Sequence, residues 1–350
     1  MNEYGALGGH GNPCPLNLVA ADVRRLNLLW VKKVRASLRR LLQFGVQRAR
    51  TFLGILSPSD PRSGVALVTI YFCVAGGFHS WLNLPAMKQP IEVTPNIRLK
   101  EFDPGYCNGM EKEATRVETT KLCQRIGELE ELLNANASHS IIILLQGMDT
   151  SGKDGTVRRV LEFVDPAGVQ AANFKSPSRE ELAHDFLWRI HQAVPRYGRI
   201  GVFNRSHYED VLIARVKNLV PKEVWSPRYD QINTFEKYLT ENNVVLLKFF
   251  LHISKEEQAE RLQSRLDNPR KQWKFEAADL AMRADWKDFM EAYEIALNKC
   301  STPYAPWHII PANRKWYRDY VIAQTVVNAL EKLKLKWPKP KEDLSKIKIV

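Results

Sequence analysis

Residues 141–156 read IIILLQGMDTSGKDGT, a continuous apolar run that leads directly into a glycine-rich loop. An apolar run without alternation is typical of a strand buried on both faces of a parallel sheet. The spacing from Gly147 to Gly152 and Lys153 is that of a phosphate-binding loop, G-x-x-x-x-G-K, the Walker A pattern. Such a loop cradles anions where it joins a strand to the first turn of a helix. The segment therefore predicts an α/β fold with a phosphate site at the end of one strand.

The segments around this loop favour the same fold. From Met87 onward, strand-like and helical patterns alternate without internal repeats. The patterns predict strands over 141–145, 169–174, 200–203, 244–253 and 308–310, and helices over 111–133, 155–164, 178–193, 254–266, 279–299 and 315–335. Ser178, with Glu181, and Ser254 are the expected N-caps. We therefore predict a parallel sheet flanked by helices, with ligands bound at the carboxyl ends of the strands.

Residues 1–86 differ in composition from the rest of the 350-residue chain. They carry 10 Lys and Arg against 3 Asp and Glu, which accounts for much of the net charge of +12. Residues 63–87 contain no charged side chain, a window long enough for one transmembrane helix, although Gly76, Gly77 and Pro85 weaken it. We interpret residues 1–86 as a disordered basic and apolar extension, with a membrane anchor as the alternative, and residues 87–350 as the folded domain.

The composition excludes several other classes of protein. A hydrophobic content of 45% with 26% charged residues is typical of a globular chain. The five cysteines are scattered and form no C-x-x-C pair, so neither a disulfide framework nor a zinc site is expected. A reduced, cytoplasmic setting follows from this pattern. No nucleic-acid-binding motif accompanies the positive charge, and we expect no nucleic-acid partner.

A second polar cluster, VFNRSHYED, occupies residues 202–210 at the end of the third predicted strand. P-loop enzymes hold a magnesium-binding acid at this place, but here the first polar residue is Asn204. Arg205 follows it, and an arginine beside a phosphate site stabilises charge on a transferring phosphoryl group. His207 and Tyr208 suit packing or hydrogen bonding as well as a direct role at the site.

A third cluster, SKEEQAERLQSRLDNPRKQWKF, covers residues 254–275 and is rich in cations. Arg261 and Arg265 are four residues apart and so share one face of the predicted helix. Lys271 and Lys274 follow Pro269 in an irregular segment. A solvated charged face is the simple interpretation of such a run. Its position in the chain instead favours a basic lid that closes over phosphates, as in nucleoside monophosphate kinases.

These three clusters, together with TPYAPWHIIPANRKWYR at residues 302–318, resemble the type-2 polyphosphate kinases. The resemblance spans about residues 91–338. It implies a P-loop kinase fold similar to thymidylate kinase, with a basic lid. It also implies magnesium-dependent, reversible transfer of the terminal phosphoryl group of inorganic polyphosphate to nucleotides. Under this resemblance residues 87–350 are the kinase domain.

The sequence FNRSHYED resembles the class III branch of that family, which phosphorylates both nucleoside mono- and diphosphates. The expected reactions are AMP to ADP and ADP to ATP, with guanine nucleotides as further substrates. Many members carry Asp where this chain has Asn204. Binding of Mg²⁺, or of Mn²⁺ in its place, is therefore expected to rest on Asp149, with Glu209 or Asp210 assisting.

The resemblance also implies roles for the remaining polar residues. Asp149, Lys153 and Arg205 are the expected catalytic residues, and Asn204, Tyr208 and Glu209 the expected nucleotide-binding ones. Residues expected to bind phosphate or polyphosphate are Gly147, Gly152, Lys153, Asp154, Gly155, Thr156, Arg261, Arg265, Lys271 and Lys274. Asp154 stands where other P-loops have Ser or Thr, and we expect it to orient Lys153 or a metal-bound water.

The family resemblance further suggests a homo-oligomer, either a dimer or a tetramer. Two other functions remain open from the sequence. The first is an ATP-dependent nucleoside monophosphate kinase, which shares the same loop and lid. The second is a polyanion-binding protein without phosphotransfer activity, which the net positive charge alone would also suit.

Overall fold

A six-stranded sheet forms the centre of the protein in the computed structural model, which describes residues 91–93 and 96–349. The strands are β1 (Ile91–Glu92), β2 (Ser140–Gln146), β3 (Val169–Asn173), β4 (Ile200–Asn204), β5 (Val244–His252) and β6 (Trp307–Pro311). Their order across the sheet is β1-β6-β5-β2-β4-β3. All neighbours are parallel except β1, which pairs antiparallel with β6 at the edge. β2, which precedes the glycine loop, therefore lies in the interior of the sheet.

Helices of different lengths connect and flank these strands. They are α1 (Lys112–Asn136), α2 (Lys153–Val160), α3 (Arg179–Leu182), α4 (Trp188–Gln192), α5 (Ile213–Val216), α6 (Lys222–Trp225), α7 (Arg228–Glu241), α8 (Lys255–Leu266), α9 (Ala277–Ala284), α10 (Trp286–Cys300) and α11 (Lys315–Lys332). Helix α1 packs along α11, which also contacts α2, and α7 packs on β5 and α10. All seven residues of β2 are buried. The helices thus cover the sheet, and the phosphate loop follows the carboxyl end of β2.

The predicted fold is confirmed, because a parallel sheet flanked by helices carries the loop at the carboxyl end of a central strand. The capping predictions are also confirmed. Ser178 and Glu181 form a reciprocal capping box, and Ser254 Oγ accepts from the backbone N–H of Glu257 at 3.1 Å. Each cap satisfies an N–H group that has no partner within its helix. Local sequence therefore determines where these helices begin.

Two helix predictions were wrong, and one helix was missed. The helix predicted over 178–193 is two short helices, α3 and α4, separated by a turn in which the Asp185 side chain accepts from the N–H of Leu187 at 3.0 Å. The helix predicted over 279–299 is α9 followed by α10, with the break at Asp285. Helix α7, 14 residues long, was not predicted.

The predicted extension, residues 1–86, lies outside the described residues, and so does the predicted anchor within it. In residues 91–93 and 96–349 no helix combines the length and apolarity that crossing a bilayer requires. Of the described strands, only β1 precedes α1. The described strands and helices named above all lie within residues 91–332.

Candidate active site

The phosphate loop, residues 147–153, joins β2 to α2. Gly147 and Gly152 have φ angles of 147° and 103°, a region that side-chain-bearing residues avoid. A Cβ atom at Gly152 would also lie 1.9 Å from Nη1 of Arg318. Gly152 is therefore required both for its backbone conformation and for the close approach of this arginine. Thr150, between the two glycines, has a positive φ of 65°, so the loop is strained as well as tight.

The five carbonyl groups of residues 147–151 all accept hydrogen bonds from buried side chains. The bonds run from Lys153 Nζ to Gly147 and Met148 (2.8 and 3.3 Å), from Gln258 Nε2 to Asp149 (3.1 Å) and from Arg261 Nη1 to Thr150 and Ser151 (2.9 Å each). The C=O and N–H of one trans peptide unit point in opposite directions. Fixing these carbonyls therefore also fixes the N–H groups of the same peptide units. That of Ser151 donates to the carbonyl of Met148 at 3.0 Å, and a phosphate can bind others.

Lys153 lies at the start of α2 and is only 9% exposed. Burial lowers the pKa of its ammonium group, while the nearby carboxylate of Asp149 opposes that shift. A bound phosphate chain would add negative charge next to the amine and favour its protonated form. Lys153 is thus placed to respond to an anion in the loop.

Arg205 comes directly after β4 and has a positive φ of 63°. Its Nη2 donates to Oδ1 of Asp149 at 2.8 Å, and its Nη1 donates to Oε2 of Glu209 at 3.4 Å. Burial opposes the charged guanidinium, but Glu209 and Asp149 outweigh it and raise the pKa of Arg205. Burial raises the pKa of Glu209, although Arg205 and Lys153 oppose this. The structure thus brings together the three predicted catalytic residues, Asp149, Lys153 and Arg205.

Tyr208, predicted as a nucleotide-binding residue, lies in the core instead and is fully buried. Its hydroxyl donates to Oε1 of Glu236 at 2.9 Å and accepts from Nζ of Lys248 at 3.0 Å. Glu236 also pairs with His207, at 3.2 Å, and with Lys248, at 2.5 Å. The nucleotide-contact prediction does not fit this position, because a side chain without exposed surface cannot reach a nucleotide. The alternative taken from the sequence, a packing and hydrogen-bonding role, fits it.

The remaining acids of these motifs have separate partners. Asp210 lies 3.3 Å from Arg228 and 3.8 Å from Arg189, so its carboxylate is engaged away from the loop. Asp154 Oδ1 accepts from Nδ2 of Asn204 at 2.7 Å. The two residues that depart from the usual P-loop pattern are therefore paired with each other. Of the two acids predicted to assist metal binding, Glu209 lies beside Asp149 and Asp210 does not.

The predicted lid cations are divided between two environments. Arg261 is 9% exposed and faces the carbonyls of the loop rather than solvent. Arg265 Nη1 lies 3.2 Å from Oδ2 of Asp279, and Lys274 Nζ lies 3.9 Å from Oδ2 of Asp154. Lys271 is exposed. We use the term lid segment for residues 267–285, which connect α8 to α10 and include α9.

Residues of the loop and of the cluster after β4 suit a magnesium ion bound together with a phosphate ligand. Asp149 and Glu209 offer carboxylate oxygens, which Mg²⁺ prefers. In the described part of the chain, no three His, Cys, Asp or Glu residues lie close enough to form a metal cage. Magnesium usually keeps several waters and binds through one or two carboxylates plus substrate phosphates. The donor set therefore fits an ion whose remaining ligands come from the substrate and water.

Two residues that support the loop were missed by the sequence analysis. Gln258 is fully buried on α8, and Arg318 on α11 is 2% exposed. Arg318 Nη1 donates to the carbonyl of Ser151 at 3.3 Å, while its Nε donates to Asp319 at 2.8 Å. The available signal was a polar residue on the buried face of each amphipathic helix. Such residues need a hydrogen-bonding partner, but the pattern does not identify it.

The chain is similar to known proteins over most of its described length. The family profile described as Polyphosphate kinase 2 (PPK2) matches residues 109–338. A relative from Meiothermus ruber, named AMP/ADP-polyphosphate phosphotransferase, is 48% identical over 264 residues, 75% of this chain and 99% of the relative. An ADP-polyphosphate phosphotransferase from Rhodopseudomonas palustris is 43% identical over 61% of this chain and 78% of its own length.

A solved structure of the same family is similar to this chain in fold and sequence. A crystal structure of polyphosphate kinase 2 from Arthrobacter aurescens TC1 superposes with a TM-score of 0.72 at 43% identity. The match covers 74% of this chain and 94% of that one. Residues 109–338, which the family profile matches, include the phosphate loop, the cluster after β4 and the lid segment. The family profile, the relatives and the solved structure all match, and the chain belongs to the polyphosphate kinase 2 family.

Proposed function

We propose that this protein transfers the terminal phosphoryl group of inorganic polyphosphate to AMP and ADP, in the manner of class III members. The observation that carries the proposal is the arrangement of the phosphate loop. Its carbonyls are bound by buried side chains, and Lys153, Asp149 and Arg205 meet at the start of α2. The names of the relatives from M. ruber and R. palustris support polyphosphate as donor and adenine nucleotides as acceptors.

The reaction needs charge neutralisation more than proton transfer. An acceptor phosphate has a second pKa of about 6 and is already largely ionised at pH 7. Its oxygen forms the new P–O bond as the bond to the terminal phosphorus of polyphosphate breaks. The donor leaves shortened by one phosphate, and neither water nor a redox partner is consumed. The difficulty lies in holding two polyanions against each other.

Each polar residue of the site then has a distinct role. Loop N–H groups and Lys153 bind phosphate oxygens. Arg205 stabilises the negative charge that develops on the phosphoryl group during its transfer. Asp149, with Glu209 beside it, would hold magnesium, which when bound screens the repulsion between donor and acceptor oxygens. The contact between Arg205 and Asp149 keeps both groups oriented toward the same space. Asp154, paired with Asn204, fixes the end of β4 against α2.

Phosphotransfer assays with defined donors test this function. AMP, ADP, GMP and GDP are incubated separately with polyphosphate and magnesium, and products are separated by chromatography. We expect AMP to yield ADP and then ATP, and guanine nucleotides to react similarly. The Lys153→Ala variant, purified in the same way, controls for contaminating kinases because it lacks the loop amine.

The other interpretations give different outcomes. Conversion of AMP only when ATP is supplied would overturn the proposal in favour of a nucleoside monophosphate kinase. Salt-sensitive binding of polyanions without any phosphotransfer would favour a binding protein instead. Use of Mn²⁺, assembly into dimers or tetramers and cytoplasmic location remain part of the proposal. Activity with each metal, sedimentation and cell fractionation test them in turn.

A further inference from the structure

The inner face of α8 contacts both the phosphate loop and the lid segment. Gln258 is fully buried and has both ends of its amide engaged. Its Nε2 donates to the carbonyl of Asp149 at 3.1 Å, and its Oε1 accepts from Nη1 of Arg283 at 3.1 Å. Arg283 belongs to α9 and also donates to the carbonyl of Lys255 at 2.5 Å. One side chain thus links a lid helix to the residue expected to hold the metal.

Arg261, one turn further along α8, is also fully engaged. Its Nε donates to Glu257 at 2.7 Å, and its Nη1 donates to the carbonyls of Thr150 and Ser151. Its Nη2 donates to the carbonyls of Ala312 and Asn313, after β6, at 2.6 and 3.1 Å. A guanidinium group has five N–H donors, and five acceptors surround this one. No donor of Arg261 is left for a phosphate oxygen in this arrangement.

We propose that Gln258 and Arg261 are positioning residues for phosphoryl transfer, and that Gln258 couples the lid segment to the phosphate loop. This rests on the proposed function, since it assumes that the loop holds the reacting phosphates. Arg261 fixes the peptide planes of Thr150 and Ser151, so the loop N–H groups are oriented before substrate arrives. Gln258 fixes the carbonyl of Asp149 in the same way. Through its bond to Arg283, it also transmits any displacement of α9 to the loop.

The alternative role for Arg261 is direct contact with polyphosphate, as expected from the cation pattern of the lid. The two roles predict different responses to salt. A cation that touches a polyanion contributes to the salt dependence of binding, and its removal flattens that dependence. A cation bonded to neutral carbonyls and to Glu257 acts through geometry. Its loss should lower turnover and leave the salt dependence of KM unchanged.

Kinetics of Gln258→Met and Arg261→Gln in the full chain test the proposal. Gln263→Met is the matched control, because Gln263 lies on the exposed side of the same helix and bonds only to Asp267 among the described contacts. We expect each inner-face variant to lose about 10-fold or more in kcat, since small misplacements of reacting groups are costly. The slope of log KM for polyphosphate against log salt should match that of the parent. Arg261→Lys, which restores the charge but not the fork of donors, should not restore kcat.

Hydrogen–deuterium exchange of the loop peptide gives a readout that needs no substrate. Exchange over residues 144–156 should be faster in Gln258→Met and in Arg261→Gln than in the parent and in Gln263→Met. The coupling is tested by Arg283→Met, which should lower kcat alone but add little in the Gln258→Met background. Additive effects of these two substitutions would overturn the coupling.

Two results would overturn the positioning role itself. The first is kcat within about twofold of the parent together with unchanged loop exchange in Gln258→Met. The second is a flatter salt dependence in Arg261→Gln that Arg261→Lys restores, which would assign Arg261 to direct phosphate contact. An inactive parent with faster loop exchange in the variants would instead count against the proposed function and leave the positioning role supported.

Discussion

The phosphate loop and the lid segment both bring cations to the same site, but they are held in opposite ways. Lys153, Arg261 and Arg318 at the loop are at most 9% exposed and are bonded to backbone carbonyls. In the lid segment, Lys271 is exposed and the side chain of Lys274 is 36% exposed, 3.9 Å from its partner Asp154. The loop is therefore a fixed electrostatic site, whereas the lid contributes charges that can rearrange around a substrate.

The difference indicates which charges control turnover and which control affinity. Donors that are oriented in advance and shielded from water stabilise developing charge strongly, because they need no reorganisation during the reaction. Exposed cations are screened by salt and lose conformational freedom when they bind. Substitutions at the loop should therefore lower kcat, and substitutions at the lid should mainly raise KM.

The largest effect is expected for Lys153→Ala. This variant removes the buried ammonium group that faces the phosphates, and we expect a loss of about 10³-fold in kcat, near the upper range for one key electrostatic group. Excess magnesium should not restore activity, because the missing positive charge is that of the Lys153 side chain and does not depend on metal binding. Lys121→Ala, at an exposed position of α1, is the control and should leave kcat unchanged. A loss below tenfold for Lys153→Ala would mean that the loop is not the catalytic site.

A large effect on stability is expected for Glu236→Gln. Both Glu236 and Lys248 have 0% side-chain exposure, and neutralising one leaves the other as an unpaired buried charge. We expect a loss of about 3 kcal/mol in the free energy of unfolding, the lower end of the range for broken buried pairs, because Gln keeps hydrogen-bonding capacity. Denaturant unfolding measures it. Glu241→Gln, on the same helix but exposed and 3.7 Å from Lys237, should change stability by less than about 0.5 kcal/mol. Equal losses in both variants would contradict the buried-pair interpretation.

The same pair predicts a dependence of stability on pH. Burial alone would raise the pKa of Glu236, but Lys248 and His207 outweigh it and hold the pKa below its usual value of 4.5. The stabilising contribution is therefore complete above pH 4.5 and is lost as the pH falls through the lower, folded-state pKa. Unfolding curves of the parent should show this acid-dependent loss, and those of Glu236→Gln should lack it. An identical acid dependence in both proteins would rule out this contribution.

Asp149→Asn should lower kcat by about 10²-fold, which corresponds to about 2.7 kcal/mol of transition-state stabilisation. The change keeps the size of the side chain and removes the charge that Arg205 and a metal ion both require. Excess magnesium should restore part of the activity, because weaker metal binding is overcome by concentration. Titration of magnesium in this variant and in Lys153→Ala separates the two roles. The same magnesium response in both variants would contradict the metal-ligand assignment.

The smallest effects are expected in the lid segment. Lys271→Gln and Lys274→Gln should each raise KM for polyphosphate only a few-fold, because exposed cations contribute about 1 kcal/mol or less. The effect should shrink as salt is added, since the Debye length falls to about 8 Å at 0.15 M. Initial rates at several salt concentrations measure this. A loss in kcat comparable to that of Lys153→Ala would mean that the lid is part of the fixed site.

Much of the fold could be predicted from the sequence because its signals are local. The buried strand before Gly147 and the serine caps at Ser178 and Ser254 depend on neighbouring residues only. The wrong helix over 178–193 came from the same reliance on spacing, since Asp185 could have been recognised as a turn-forming residue. The unpredicted α7 packs on β5 and α10, and its burial depends on elements that precede and follow it in the chain.

The sequence by itself determined the phosphate loop, the position of Arg205 at the end of a central strand and the order of the five parallel strands along the chain. These follow from contiguous residues whose backbone preferences and apolar spacing act over a few positions. Only the tertiary structure decided that Arg261 and Gln258 bind the loop carbonyls, across 111 and 109 residues of sequence. It also decided that Tyr208 is buried and that Asp210 turns toward Arg228 and away from the loop. The physical reason is that a polar side chain selects its partner from the groups that folding brings within about 3 Å, and composition or spacing does not specify those groups.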